Sequence, residues 1–245
     1  MKYLLVLLLF FAQASASDIK QKVTIGAGAY LQTQPYAGVE DLLLPSPVIF
    51  FDNGLFYARW SRFGLYFLGE KKEDYAWGFS LTVQPRTYGY DAEDIAGMET
   101  RENSFEGGVA FSAKINTLHV ELMALTDLLG RYDSKIFQGD IGYDVKYGKF
   151  SLYPSLIFIY QSSQFMDYYY GVESYEATPQ REAYSPASGL QIGAQTYIEY
   201  PLTEKLSAFV NLRIDKLSQE ATNSPLVNEE YIYSGLASLI YTFEY

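Results

Sequence analysis

Tyr231-Ile232-Tyr233-Ser234-Gly235-Leu236-Ala237-Ser238-Leu239-Ile240-Tyr241-Thr242-Phe243-Glu244-Tyr245 is the stretch that decides the fold. Every second residue from Tyr231 gives Tyr, Tyr, Gly, Ala, Leu, Tyr, Phe, Tyr, a row that is apolar in its middle and aromatic toward both ends. In a strand, alternate side chains share one face, so this row forms a surface suited to hydrocarbon with aromatic borders at the two interfaces. The other row, Ile232, Ser234, Leu236, Ser238, Ile240, Thr242 and Glu244, is mixed and suits a small filled lumen. A soluble sandwich would place Lys, Glu or Thr where the outward row carries four Tyr, a Phe and a Leu. The stretch reads as the closing strand of an outer-membrane barrel.

Working outward, residues 1–16 hold Lys2, an apolar run from Leu4 to Ala12 and a small-x-small site at Ala14-Ser15-Ala16. This is the pattern of a secretory signal peptide, and its apolar core is too short for the ~20 residues a helical span needs. The expected mature chain is a single domain, 17–245. It contains no apolar run long enough for a membrane helix, yet 24 Tyr and 16 Phe bring the aromatic share to 17%, as girdles at two interfaces require. The absence of Cys excludes disulfides and thiolate-bound metal. A net charge of −11, or −12 once Lys2 leaves with the leader, argues against a nucleic-acid partner.

Alternating segments recur at 23–32, 42–51, 55–60, 63–68, 75–88, 105–116, 118–124, 137–147, 150–160, 190–200, 206–215 and 231–245. The breaks after even-numbered segments are short: Asp52-Asn53-Gly54, Glu70 to Asp74, Asn116-Thr117, Gly148 and Pro201 to Glu204. Most breaks after odd-numbered segments are long, up to Gln161 to Pro186. Short periplasmic turns and long external loops sort in this way in an antiparallel transmembrane β-barrel with an even strand number. Twelve strands are expected. The fallback is ten, because 55–60 and 63–68 are short and joined near Ser61.

Several stretches resemble the MltA-interacting protein (MipA)/OmpV family of outer-membrane proteins. They are Gly26-Ala27-Gly28 with Tyr36-Ala37-Gly38, Leu44-Pro45-Ser46-Pro47 running into Phe50, and Gly64-Leu65. Tyr169-Tyr170-Gly171-Val172, Ser224-Pro225-Leu226-Val227 and Tyr241-Thr242-Phe243 complete the set. The resemblance implies an outer-membrane barrel that in some members joins a lytic transglycosylase to a peptidoglycan synthase, and it carries no shared catalytic set.

The chemistry in the residues is sparse. His119, the only histidine, falls on the inward row beside Glu121 at the periplasmic rim. A hydrogen-bonded lumen residue is the expectation there, and no enzyme and no cofactor is expected. The inward charges Glu106, Lys114, Asp140, Asp144, Lys146, Glu199, Arg213 and Asp215 are expected to neutralise one another in a narrow interior. A small-solute channel is the rival reading. Periplasmic partners, possible murein hydrolases or synthases, would meet only small patches, with Lys20, Lys22, Lys71, Lys72 and Lys205 as candidate docking residues. Tyr241, Phe243 and Tyr245 are the expected signal for the barrel-assembly machinery, and lipid and lipopolysaccharide the expected surroundings.

Overall fold

The computed structural model describes residues 22–72 and 74–244; the leader, Lys20 and Tyr245 lie outside the described residues. Alternation dictates the architecture. The strands are β1 (Lys22–Gln32), β2 (Leu42–Asp52), β3 (Phe56–Arg59), β4 (Arg62–Lys71), β5 (Tyr75–Arg86), β6 (Ser104–Ile115), β7 (Leu118–Asp127), β8 (Lys135–Tyr143), β9 (Val145–Tyr147), β10 (Phe150–Gln161), β11 (Gly189–Pro201), β12 (Leu206–Lys216) and β13 (Tyr231–Glu244). Each pairs antiparallel with its sequence neighbours, except that β8 and β9 both pair with β10 and not with each other. β13 closes on β1 over eleven residue pairs, from Lys22↔Glu244 to Gln32↔Ser234. β8 and β9 pair with β10 in one register, Gly142↔Ser155 and Val145↔Leu152. They are two pieces of one strand, so the wall is a closed twelve-stranded barrel.

The closing strand faces as its alternation requires. Tyr233, Leu239, Tyr241 and Phe243 are exposed on the outside, while Ile232, Leu236 and Ile240 are buried inside. Outside rings line up as borders, with Tyr241 and Phe243 centroids 4.7 Å apart. The inner wall is tightly filled in places: a Cβ on Gly64 would stand 2.2 Å from the Tyr57 ring, so only glycine lets that ring lie flat on β4.

Four local readings need correction. The strand read as 137–147 breaks at Asp144, whose amide instead donates to the Thr117 carbonyl at 2.8 Å. The strand read as 75–88 ends at Arg86; Tyr88 turns into the lumen and its hydroxyl donates to Gln191 at 2.9 Å. Strand β4 runs on to Lys71 through a bulge between Tyr66 and Leu68, which shortens the turn read as Glu70 to Asp74. The longest break is not open loop. It begins with helix α1 (Ser163–Tyr170), capped by Ser162, and the break before β13 holds a second short helix, α2 (Gln219–Thr222).

Candidate functional site

In the middle of the lumen, β3, β4 and β7 bring together Arg59, Arg62 and Glu121. The Glu121 carboxylate accepts from Arg59 Nη1 at 2.8 Å, and Arg62 Nη1 lies 2.5 Å from its other oxygen. Asp140 accepts from Tyr153, Ser155 and Gln195 at 3.0–3.2 Å. Toward the external end, Arg86 grips Glu106 through Nε and Nη2, both at 2.8 Å, and Gln84 and Tyr132 also donate to that carboxylate. Arg213 and Asp215 pair beside them at 2.6 and 2.7 Å. A buried carboxylate saturated with donors by a facing guanidinium is tolerable off water; an unpaired one is not.

Above this layer the external loops fold onto one another. Helix α1 buries Phe165, Met166, Tyr169 and Tyr170 completely, against Tyr36, Tyr90, Met98, Tyr132, Val172 and Leu226. Hydrogen bonds cross-link the loops: Ala37 N–H donates to the Leu226 carbonyl at 2.9 Å, and the Ser224 hydroxyl to the Tyr170 carbonyl at 2.6 Å. Arg101 Nη2 reaches both oxygens of Glu176, which also accept the amides of Glu99 and Glu173. Burial would push the Glu176 carboxyl up. Those amides and Arg101 overcome it and hold the carboxyl below its ordinary range. Burial likewise pushes the Tyr90 hydroxyl up to about 12. The external mouth is thus stoppered by side chains and a helix.

The periplasmic mouth is open. A cavity of about 360 Å³ is lined by Lys22, Thr24, Phe50, Glu199, Phe209, Ile240 and Thr242. Its floor is an apolar septum of Val48, Phe209, Leu236 and Ile240, packed with Tyr30, Phe50, Trp60 and Tyr197. The rim separates the residues that sequence placed together. His119 bonds Asp144 at 2.8 Å and stands edge-on to Tyr153, rather than pairing with Glu121, which the arginines of β3 and β4 hold. Lys114 shares Asp144, and this group is solvent-accessible, unlike the sealed interior pairs. Of the docking lysines, Lys22 pairs with Glu244 at 2.7 Å, and Lys72 with Glu70 at 2.8 Å and over the Tyr75 ring. Lys71 and Lys205 have no ion pair among the described residues, and Lys205 lies beside β13, its carbonyl accepting the Thr242 amide. Among the described residues, no three His, Asp or Glu side chains gather as metal ligands.

Sequence reasoning missed Arg59 because it lies in a four-residue strand, where alternation has too few residues to assign a face, and Arg62 because it fell in the break between the segments read as 55–60 and 63–68. It missed α1 although Ser162, three residues before Phe165, carried the cap signal.

The family model described as MltA-interacting protein MipA matches residues 25–243. The putative outer membrane protein YiaT of Escherichia coli K12 is 24% identical over 96% of this chain and 94% of its own length. Outer membrane protein OmpV of Vibrio cholerae is 25% identical over 77% of this chain and 74% of its own. The MltA-interacting protein of Escherichia coli K12 is 21% identical over 100% of this chain and 99% of its own.

Proposed function

Because this chain belongs to the MltA-interacting protein MipA family and is a β-barrel of the outer membrane, we propose that it is a non-conducting, non-enzymatic scaffold of the cell envelope that engages peptidoglycan-remodelling enzymes at its periplasmic rim. The single observation that carries this reading is the stoppered external mouth. Four residues of α1 are fully buried there, above a lumen crossed by Arg86–Glu106 and Arg59–Glu121. A pore for small solutes needs a continuous wet path, and rings packed as closely as these oppose one. One relative is named for an interaction with MltA. For this chain the matching partner class is a murein hydrolase or synthase, met through Lys71 and Lys205 together with Lys20 and the exchangeable Lys22 and Lys72. Tyr241, Phe243 and Tyr245 would be read by the barrel-assembly machinery, and the external loops would stand among lipopolysaccharide.

Two measurements on the purified protein test the reading. In a planar bilayer it should give no stepwise conductance, and from a low-salt envelope extract it should retain a lytic transglycosylase. Steady conductance with no enzyme retained would replace the scaffold by a channel.

A further inference from the structure

The barrel wall has a gap. Strand β2 pairs with β1 along nearly its whole length, but with β3 only at Phe50, Phe51 and Asp52. The β3–β4 hairpin turns back at Trp60-Ser61, and β4 meets β5 no higher than Phe63↔Val83, while β5 continues to Arg86. Above that turn, Leu42 to Val48 on one side and Gln84 to Arg86 on the other face no strand among the described residues.

The direction of the backbone groups shows how the gap is tolerated. Asn53 N–H bonds to Phe56 and the Ile49 carbonyl accepts from Trp60, so the odd residues of β2 point toward β3. Pro45 and Pro47 are in that set. On β5 the Tyr75 carbonyl accepts from Lys72 and the Asp74 carbonyl from Asn116, so odd residues point toward β4, and Pro85 is in that set. All three prolines therefore remove an N–H that would have pointed into the gap. An unpaired amide in hydrocarbon costs several kcal/mol, and proline in a sheet belongs where no ladder partner exists.

The gap opens to the inside. Tyr30↔Leu44 pairing puts Leu44 on the inward row, yet it is 42% exposed, whereas Val48 further down the same row is 0% exposed. Below the gap sits Trp60 with φ 59, a conformation that a bulky residue adopts only when its surroundings demand it. Its indole N–H donates to Ser46 Oγ at 2.9 Å, Ser46 Oγ donates to the Pro47 carbonyl at 3.3 Å, and its ring stands edge-on to Tyr30 at 5.5 Å. Above the gap, Gln32 and Thr87 exchange two hydrogen bonds at 2.7 and 3.0 Å and tie β1 to the end of β5. The opening is framed by an aromatic sill, two proline-bearing jambs and a polar lintel, and it leads to the septum of Tyr30, Phe50, Trp60 and Tyr197.

We infer that this window is a binding site for an acyl chain of an outer-leaflet lipid, which enters sideways from the bilayer and lies against Leu44 and Trp60. Lipid is what surrounds the wall at this height, where Leu43, Pro45 and Pro47 are exposed. Edges that lack the N–H donors of Pro45, Pro47 and Pro85 cannot complete a ladder with an incoming strand of a second copy.

The chain has two tryptophans, which makes the test direct. Three single-tryptophan forms are reconstituted in phosphatidylcholine bilayers brominated on the acyl chains, each checked for folding by heat-modifiable gel mobility. W77F reports from Trp60 in the window. W60F reports from Trp77 on the lipid face. W60F/W77F with Phe209→Trp reports from behind the intact wall of β12. Emission from Trp60 should be quenched comparably with Trp77 and far more than from the site at 209, and Leu44→Phe in the W77F form should lower that quenching. The inference fails if Trp60 is quenched no more than the position-209 reporter, or if Leu44→Phe leaves its quenching unchanged. It also fails if Trp60 is shielded while Leu44→Cys, which introduces the sole thiol, cross-links two copies, since a second barrel would then fill the window.

Discussion

The two ends of the barrel carry ion pairs of the same length and different consequence. At the external end Arg86–Glu106 and Arg101–Glu176 both close at 2.8 Å, with side-chain exposures of 8% and 0%, and 7% and 1%. At the periplasmic end Lys22–Glu244 closes at 2.7 Å and Lys72–Glu70 at 2.8 Å, but these side chains are 42–64% exposed. Distance therefore does not rank them. Desolvation does: a buried charge that loses its partner has no water to turn to, whereas an exposed one is re-solvated at once. The external end is held by its charges, and the periplasmic end merely wears them, free to exchange them for a partner's.

The sharpest way to break this contrast is Glu106→Ala. It strands Arg86 and removes the acceptor of Gln84 and Tyr132, and should cost about 3–5 kcal/mol in urea unfolding from lipid or detergent. The pair replacement Arg86→Met with Glu106→Leu should recover most of that loss. A single-variant cost under ~1 kcal/mol would mean that water reaches the pair, and the stopper would be leaky.

Next in size is a charge placed on the lipid face. Leu239, exposed at the middle of β13, becomes arginine at a cost of about 2–4 kcal/mol. Thr242→Arg, three residues on and opening into the periplasmic cavity, should cost well under half as much because its head group reaches water. Ser238 is a poor comparator despite facing inward, since it stands against Gly28 and its hydroxyl donates to the Phe209 carbonyl at 3.2 Å, so a change there disturbs packing as well as charge. Equal losses at Leu239 and Thr242 would show that the periplasmic mouth is as dry as the membrane.

A third expectation is pH-dependent and local to the external loops. The Glu176 carboxyl is held low, so its contribution is fully present above the ordinary carboxylate range near ~4.3 and is lost as pH falls through the depressed native value. Protection factors, which allow for the slower intrinsic exchange in acid, should therefore fall on acidification in the segment around Val172 and Tyr184, whose backbones bond to each other, before they change in the wall strands. Glu176→Gln should remove that acid step. Simultaneous opening of loops and wall would show that the stopper is not a separate unit.

The wall was legible in the sequence because alternation is a local signal: each strand declares its lipid face by itself, as Tyr231 to Phe243 did, and turn lengths then sort the ends. The stopper was not, because Phe165, Met166, Tyr169 and Tyr170 find their partners on loops far apart in sequence, Tyr36, Tyr132 and Leu226 among them. Read alone, that stretch has no face to choose. The lumen partners failed for a related reason. Register decides whether Glu121 meets His119 or Arg59, and the register of β3 depends on a hairpin at Trp60-Ser61 whose shortness was visible while its consequence was not. Pro45, Pro47 and Pro85 were a signal for the window, but only once the pairing fixed which way each missing amide would have pointed.

The smallest expected effect on stability is also the one that tests the periplasmic end. Changing Lys71 and Lys205 to glutamate removes two exposed charges without ion pairs among the described residues, and adding Lys22→Glu and Lys72→Glu breaks two surface pairs worth about 0–1 kcal/mol each. Heat-modifiable mobility and unfolding midpoint should therefore barely move. If the scaffold reading is right, the same changes should abolish low-salt retention of the murein enzyme, because small patches bind through charge steering more than through buried apolar area. Wild-type retention should also fade as salt rises and the Debye length drops below ~10 Å. Lys71 and Lys205 alone should carry most of the loss, since Lys22 and Lys72 must first give up Glu244 and Glu70. Retention that survives all four changes, or persists undiminished in high salt, would remove charge from the periplasmic rim's role and leave the open cavity lined by Phe50 and Phe209 as the feature of that end still without a partner.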